Sequence, residues 1–141
     1  MTPVAHNRGL LERMSVQLTV SDLDTTEAFY AGILGVPVQR SLPAQGFPEY
    51  LIMEHGDWTI VFNEESAVVN AHPVLGEQLG SFPKGVGVTF HFRVDGIEDI
   101  NQALIDEGLE ILYPLDFKPY GFKELWCFDP DGYLVVLAEP W

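Results

Sequence analysis

The chain has 141 residues, 47% hydrophobic and 20% charged, a composition typical of one folded domain with a buried core. Seven Lys and Arg stand against 21 Asp and Glu, so the formal net charge is −14 and the clustered cations of a nucleic-acid-binding protein are missing. No apolar run approaches the roughly 20 residues of a membrane span, and MTPVAHNRGLLERM lacks the apolar centre of a signal peptide, so we expect a cytoplasmic protein that binds neither nucleic acid nor membrane.

The first half of the chain predicts a strand, a helix and three further strands. The first dozen residues are expected to form a flexible or partner-docking arm. From Ser15 to Val20 polar and apolar side chains alternate, as in a strand with one buried face. A helix follows, in which Asp24 and Glu27 have capping-box spacing and Gly35 ends the apolar pattern. The runs VPVQR, EYLIME and DWTIVF then predict three short strands.

The second half repeats this order after a connector. An alternating strand ends at Val94, a helix closes at Gly108, and EILYP, KELWCF and YLVVLA predict three more strands. The last strand follows a predicted tight turn, DPDG, which begins at Asp129. The only cysteine, Cys127, lies among apolar neighbours, so we expect a packed, inert thiol and neither a disulfide framework nor a thiolate metal cluster.

The two halves are therefore copies of one unit. Val20 aligns with Val94 at an offset of 74 residues, and Gly35 aligns with Gly108 at an offset of 73. A nearly constant offset across strand, helix and hairpin indicates an internal repeat. The sequence thus predicts an α+β fold of two βαβββ modules in a single domain covering residues 1–141. Module one spans about 14–63, the connector 64–84 and module two about 85–139.

Strand alternation places polar side chains together on one face of the first strand in each module. The apolar face is expected to pack on the helix of its own module. The polar face is then exposed to water or, if the two sheets curl, lines a cup. The polar residues that would line such a cup are Ser15, Gln17, Thr19, Thr89, His91 and Arg93.

The duplication, together with VSDLDTTEAFYAGILGV, FRVDGIEDI and above all YGFKELWCFDPDGYLVVL, resembles the vicinal oxygen chelate superfamily. That superfamily includes glyoxalase I, extradiol dioxygenases, fosfomycin-resistance enzymes and bleomycin-resistance proteins. The resemblance covers nearly the whole chain from residue 14 and implies paired modules whose curled mixed sheets surround a cup. It also implies a homodimer. Enzymes of the family bind a divalent metal in the cup through His, Gln or Glu from the first and last strands of each module.

Carried over one position at a time, the family's metal ligands fall on Ser15, Ile60, Thr89 and Val136. Ser15 precedes the Asp of the strand-end turn by seven residues, and Thr89 precedes the Val of VDG by five. Val136 follows the first Asp of DPDG by seven residues, and Ile60 is placed by module symmetry, four residues after Gly56. Two hydroxyls and two aliphatic side chains do not hold a divalent metal. The resemblance thus implies the frame of a metal site without its ligands.

Other interpretations of the polar residues stay open. A register shift of two residues would pair Gln17 with His91 as ligands, but it would put Phe62 and Ala138 at the carboxylate positions. His91 could act as a general base or serve as a hydrogen-bonded lining of the cup. Arg93 could hold a carboxylate or phosphate of a ligand, or pair with an acidic neighbour at the rim.

We therefore predict a metal-free protein that binds a small molecule in its cup, as bleomycin-resistance proteins sequester a drug without transforming it. No cofactor and no catalytic residue are predicted. The alternatives are a metal-dependent lyase or dioxygenase with one divalent metal, and a cup that mainly serves dimerisation. The predicted ligand-binding residues are Ser15, Gln17, Trp58, Ile60, Phe62, Thr89, His91, Arg93, Trp126 and Val136.

Overall fold

The computed structural model describes residues 14–41, 48–55, 58–80 and 82–141, with the backbone alone for Met14, His55 and Trp58. The arm that the sequence predicts over the first dozen residues lies outside the described residues. The first four strands are β1 (Met14–Val20), β2 (Gln39–Arg40), β3 (Tyr50–His55) and β4 (Trp58–Glu64). The other strands are β5 (Thr89–Arg93), β6 (Ile111–Lys118), β7 (Phe122–Phe128) and β8 (Leu134–Pro140). The helices are α1 (Leu23–Glu27, continued by a π-helical segment, Ala28–Ile33), α2 (Glu65–Ala71), α3 (Pro73–Gly76) and α4 (Ile97–Asp106).

The strands form two four-stranded mixed sheets of the same topology. The strand order is β1-β4-β3-β2 in the first sheet and β5-β8-β7-β6 in the second. In each sheet the first pair is parallel and the other two pairs are antiparallel. The predicted α+β fold of two repeated modules is confirmed.

The helix of the first repeat belongs with the second sheet. By their contacts, residues Asp24–Val36 group with Gly80–Trp141, whereas the first sheet groups with the chain up to Leu23 and from Pro37 to Leu79. Within the second unit, the ring centroid of Tyr30 lies 6.0 Å from that of Phe92. The expectation that each helix packs in its own module is therefore wrong for α1. Tyr30 of α1 packs against Phe92 of the second repeat. Tertiary contacts, and not proximity along the chain, therefore decide where this helix packs.

The turn before β8 is built around Asp129, as the DPDG motif predicts. One carboxylate oxygen, Oδ1, accepts hydrogen bonds from the backbone N–H groups of Asp131 and Tyr133, at 2.9 and 3.0 Å. Gly132 has a φ of 88°, and a Cβ at this position would lie 2.7 Å from the Cα of Pro83. The turn therefore requires glycine, and its hydrogen bonds set the register in which β8 begins.

A carboxylate from the last strand of the second module caps that module's helix. The two oxygens of Glu139 on β8 accept hydrogen bonds from the backbone N–H groups of Gly96 and Ile97, at 2.8 and 3.2 Å. These are N–H groups that a helix start leaves without an intrahelical partner. The hydrogen bonds lower the pKa of Glu139. Asp95 and Glu98 have the same capping-box spacing as Asp24 and Glu27 and predict a cap at Asp95, but this prediction is wrong because the N-cap residue is Gly96, which occupies the left-handed region with a φ of 70°.

The first module has the same arrangement. Glu64, at the end of β4, accepts a hydrogen bond of 3.0 Å from the backbone N–H of Leu23, the first residue of α1. Because α1 begins at Leu23, the predicted N-cap, Asp24, lies inside the helix. Glu64 and Glu139 are 75 residues apart, so the repeat extends to this capping carboxylate. The equivalent positions of Glu64 and Glu139 in the two repeats could have predicted this cap, whereas the capping-box pattern predicted a different residue.

The core of the second unit lies between its sheet and its helices. Its buried residues include Phe29, Tyr30, Phe92, Val94, Ile97, Ile100, Leu104, Leu125, Cys127, Val135 and Leu137. Burial raises the pKa of the Cys127 thiol to about 12, so this group is an uncharged packing residue at neutral pH, as the sequence predicts. Among the described residues, no helix is long and apolar enough to cross a membrane.

Candidate functional site

Five of the predicted ligand-binding residues lie on one face of the second sheet, here named the open face. On β5, Thr89, His91 and Arg93 are exposed and alternate with buried or half-buried side chains. His91 is the β-bridge partner of Val136 on β8, and Val136 is in turn the partner of Trp126 on β7. The strand register therefore brings these five side chains together across three neighbouring strands.

The first sheet separates the other predicted residues. Ser15 and Gln17 are exposed on β1, and Gln17 pairs with Val61 on β4. Ile60 and Phe62 flank Val61 and are only 5% and 0% exposed. They therefore point to the opposite, buried face. Placing them in one cup with Ser15 and Gln17 is wrong, because a count that is off by one residue moves a strand side chain to the other face.

The source of that error is the hairpin before β4. The glycines of the two hairpins are 76 residues apart, but the strands after them correspond at an offset of 75. Gln17 and His91 are equivalent first-strand positions, and they pair with Val61 and Val136 respectively. The first-module counterpart of Val136 is therefore Val61 and not Ile60. The side chain of Trp58 is not described, so its role stays a prediction.

The corrected ligand positions do not fit a metal ion. They hold Ser15, Val61, Thr89 and Val136, and aliphatic side chains and neutral hydroxyls are poor ligands for the divalent metals that proteins bind through His and carboxylates. Across the described residues, no three or more His, Cys, Asp and Glu side chains come close enough to bind one ion.

A register shift of two residues does not supply a site either. In the structure it leads to Gln17, Asn63, His91 and Ala138. The amide of Asn63 donates a hydrogen bond of 3.2 Å to Gln17. His91 Nε2 lies 3.0 Å from the hydroxyl of Thr89. Of these four residues only Gln17 and His91 belong to the ligand types of the family, and Asn63 and Ala138 supply no carboxylate, so the set stays incomplete.

Arg93 lies over an aromatic ring. Its guanidinium carbon is 4.9 Å from the ring centroid of Phe122, within the range of a cation–π interaction. The sequence predicts one of two partners for this guanidinium, an acidic residue at the rim or an anionic ligand. In the described part of the chain the contact is with Phe122, so the predicted ion pair with an acidic neighbour is wrong.

A hollow of about 380 Å³ opens beside the open face, between β6 and β7. We call it the aromatic hollow. It is lined by Tyr113, Pro114, Lys118, Tyr120, Glu124 and Trp126. A hollow of similar volume in the first unit contains no aromatic side chain among its lining residues, which are Leu23, Pro48, Glu49, Glu64, Ser66, Ala67 and Asn70.

Two side chains hold the carboxylate of Glu124 in place within the aromatic hollow. The Tyr120 hydroxyl donates to Oε2 at 2.5 Å, and the indole N–H of Trp126 donates to Oε1 at 3.3 Å. The hydrogen bond to Glu124 raises the pKa of Tyr120. The indole of Trp126 also meets His91 edge to face, with ring centroids 6.3 Å apart. The aromatic hollow and the open face are therefore one continuous surface.

Tyr113 and Glu124 belong to this surface but are not among the ligand-binding residues that the sequence predicts. Strand β6 has two register irregularities, one between Ile111 and Tyr113 and one between Tyr113 and Asp116. Each adds one residue to β6, and the one between Tyr113 and Asp116 makes Tyr113, in place of Pro114, the partner of Trp126. Simple alternation from Asp116 would turn Tyr113 to the other face. Pro114 lies within the irregular stretch and is the available signal, because Pro in a strand marks an edge or a bulge.

Comparisons with known proteins agree with this architecture. The family model described as Glyoxalase/Bleomycin resistance protein/Dioxygenase superfamily matches residues 14–137. No curated protein sequence matches the chain. A hypothetical protein from S. aureus is similar in structure, with a TM-score of 0.65 and 19% identity over 95% of this chain and 98% of that chain.

Two further solved structures carry functional descriptions. A glyoxalase-related enzyme from Fulvimarina pelagi has a TM-score of 0.62 and 19% identity, over 91% of this chain and 87% of that chain. A lactoylglutathione lyase from Agrobacterium tumefaciens has a TM-score of 0.52 and 18% identity, over 89% of this chain and 91% of that chain. At such identities the likeness shows the fold alone. The match of the family model to residues 14–137, on two modules with the same strand order, shows that the chain belongs to the glyoxalase/bleomycin resistance protein/dioxygenase superfamily.

Proposed function

We propose that the protein binds a small organic molecule on the open face of the second sheet, and that it sequesters this molecule without a metal and without transforming it. The observation that carries the proposal is the content of the four family ligand positions. After correction for the strand register they hold Ser15, Val61, Thr89 and Val136, which are not a ligand set for a divalent metal.

The open face around Thr89 and Val136 has the composition of a small-molecule binding site. Small-molecule sites are mostly apolar, with a few polar groups that orient the ligand. Here the half-buried indole of Trp126 provides the apolar part, and Val136, its β-bridge partner, is only 2% exposed and forms the floor beside it. His91 and Arg93 provide polar groups from the neighbouring strand. The hydroxyl of Thr89 is 3.0 Å from His91 and restricts its ring orientation.

A homodimer is part of the proposal. The resemblance implies dimerisation, and the second unit exposes large aromatic side chains that a second copy could cover. Phe117 and Trp141 are 61% and 64% exposed, and their rings meet edge to face at 5.3 Å. Sedimentation equilibrium measures the mass, and a monomer at all concentrations would overturn this part of the proposal.

The first test measures metal content. Protein purified without chelator is dialysed in turn against Zn²⁺, Ni²⁺, Mn²⁺ and Fe²⁺, and bound metal is measured by mass spectrometry. We expect no stoichiometric metal. A single metal per chain whose binding is lost in His91→Ala would overturn the proposal in favour of a metal-dependent lyase or dioxygenase.

The second test measures ligand binding by tryptophan fluorescence. Bleomycin and a panel of aromatic metabolites are titrated, and a ligand on the open face is expected to quench Trp126. It should also raise the unfolding temperature, since a ligand at about 100 times its Kd contributes about 2.7 kcal/mol. Trp126→Phe should remove the quenching. Trp141→Phe, whose ring contacts Phe117, is the matched control. Quenching that survives in Trp126→Phe and disappears in Trp141→Phe would place the ligand elsewhere.

A further inference from the structure

The aromatic hollow has three rings arranged around one carboxylate. Tyr113 and Trp126 stand at an interplanar angle of 73°, with centroids 5.3 Å apart, so they form two walls of a corner. Tyr120 supplies a third ring and is held by its hydrogen bond to Glu124. Tyr113 and Tyr120 are 55% and 61% exposed, so a ligand can reach both rings.

The aromatic hollow carries a negative charge that its own hydrogen bonds do not cancel. Both oxygens of Glu124 are oriented by neutral donors, the hydroxyl of Tyr120 and the indole N–H of Trp126. Lys118 is the cation among the lining residues, and its ammonium lies 3.4 Å from the carboxylate of Asp116. That pair is neutral overall. The net charge of −14 of the whole chain also favours the approach of cations.

We propose that the aromatic hollow binds an organic cation of the methylated or quaternary ammonium class. The inference rests on the proposed function and names the chemistry of its ligand. Such cations are attracted by the electron-rich faces of Trp and Tyr, and they do not need hydrogen-bond acceptors. The carboxylate of Glu124 then neutralises their charge.

Other ligand classes fit the aromatic hollow less well. A metal ion would find one carboxylate, an ammonium group and aromatic rings in place of a ligand set. An anion would be repelled by Glu124. A neutral aromatic molecule would remove water from that carboxylate without replacing its hydration. Arg93, the nearest alternative for an anion, lies over Phe122, and neither residue lines the aromatic hollow.

The test compares two molecules of the same shape, of which one is charged. Choline and 3,3-dimethyl-1-butanol are titrated separately into the full-length protein, and binding is measured by calorimetry and by Trp126 fluorescence. We expect choline to bind roughly 3- to 30-fold more tightly than its neutral analogue, the range that a cation–π site provides. Equal affinities, or binding of neither molecule, would overturn the proposal.

Variants then locate the site. Glu124→Gln keeps an acceptor for the indole N–H and removes the charge, so it should weaken choline binding several-fold and leave the neutral analogue unaffected. Trp126→Leu should weaken binding of choline by a similar factor. Glu110→Gln, at an exposed position outside the aromatic hollow, is the matched control. Circular dichroism confirms that each variant is folded. Choline affinity that Glu124→Gln and Trp126→Leu leave unchanged would place the cation elsewhere and overturn the proposal.

This outcome is separable from failure of the proposed function. If a molecule from the ligand panel quenches Trp126 while choline shows no charge preference, the cation inference is overturned and the sequestration proposal stands. If choline binds with the expected preference while the protein holds a metal at His91, the cation site stands and sequestration without metal is overturned.

Discussion

The carboxylate of Asp129 accepts three hydrogen bonds, and the residue is only 3% exposed. One oxygen of its carboxylate orders the turn before β8, and the other, Oδ2, accepts a hydrogen bond of 2.7 Å from the hydroxyl of Tyr30. Burial raises the pKa of Asp129 to about 6, although these hydrogen bonds favour the charged form. Burial also raises the pKa of Tyr30, well above its ordinary value. The first Asp of the DPDG motif therefore links helix α1 to the strand that carries Val136.

The raised pKa makes stability depend on pH in a defined direction. Below the ordinary value of 3.8 both the folded and the unfolded chain hold the proton, and well above 6 neither does. Between these values the folded state alone retains it, so the contribution of Asp129 to stability falls as the pH rises. A shift of roughly two pKa units corresponds to about 3 kcal/mol. We expect the free energy of unfolding of wild type, relative to Asp129→Asn, to fall by up to that amount between pH 4 and pH 7.

Urea unfolding at several pH values measures this difference. Asp95→Asn, which removes an exposed carboxylate, controls for the change in net charge. A difference between wild type and Asp129→Asn that is constant across this range, or that grows as the pH rises, would contradict the assignment.

At the scale of elements, the last strand of the second module caps that module's helix. Glu139 on β8 binds the first N–H groups of α4, and Lys123 from β7 lies 3.3 Å from the same carboxylate. Lys123 also pairs with Glu98, and this hydrogen bond raises the pKa of Lys123. The hairpin that forms the aromatic hollow is thereby connected to the start of the helix.

We expect Glu139→Gln to lower the unfolding temperature by roughly 3–5 °C at neutral pH, the range for loss of a helix cap. The hydrogen bonds from Gly96 and Ile97 lower the pKa of Glu139, so its contribution is present above its ordinary pKa and is lost as the pH falls through the lowered value. Thermal unfolding at pH 7 and at pH 3 measures the effect, which should be smaller at pH 3. Glu110→Gln is the control, and a decrease of equal size in that variant would refute the capping role.

Much of the element order could be predicted from the sequence, because the repeat keeps strand, helix and hairpin at a nearly constant offset. The side-chain faces were less predictable. One additional residue in the first hairpin moves Ile60 to the buried face, and one extra residue of β6, between Tyr113 and Asp116, brings Tyr113 opposite Trp126. Helix capping by Glu139 joins residues more than 40 positions apart, which local capping patterns do not include. The alternation of polar and apolar residues predicts which face of the sheet a side chain occupies only where the strand has no bulge.

At the scale of the whole molecule, the two compact units do not follow the two sequence repeats. The second unit needs Asp24–Val36 as well as Gly80–Trp141. A chain of residues 80–141 alone would lack the aromatic side chains of α1 and the Tyr30 hydroxyl that binds Asp129. If the chain is divided at the connector, the second half lacks the α1 residues that belong to its compact unit, and the first half keeps a helix without the sheet it packs on.

We expect residues 24–36, joined by a flexible linker to residues 80–141, to unfold at a higher temperature than residues 80–141 alone. The helix restores buried apolar contacts and the hydrogen bond to Asp129. Circular dichroism during heating measures both chains. Tyr30→Phe in the linked chain should lose part of the gain. Equal unfolding temperatures of the linked chain and of residues 80–141 would show that α1 is not needed by the second unit.

The link between Tyr30 and Asp129 also sets an order of events during synthesis. The two residues are 99 positions apart, so the ribosome adds Asp129 long after α1 has emerged. At translation rates of about 5–20 residues per second, that interval lasts on the order of 5–20 s. Throughout it the nascent chain lacks the turn that α1 needs for final docking. Final docking of α1 in the second unit therefore waits for the synthesis of Asp129, and a ribosome stalled shortly before this residue would hold a helix that chaperones and proteases can still reach.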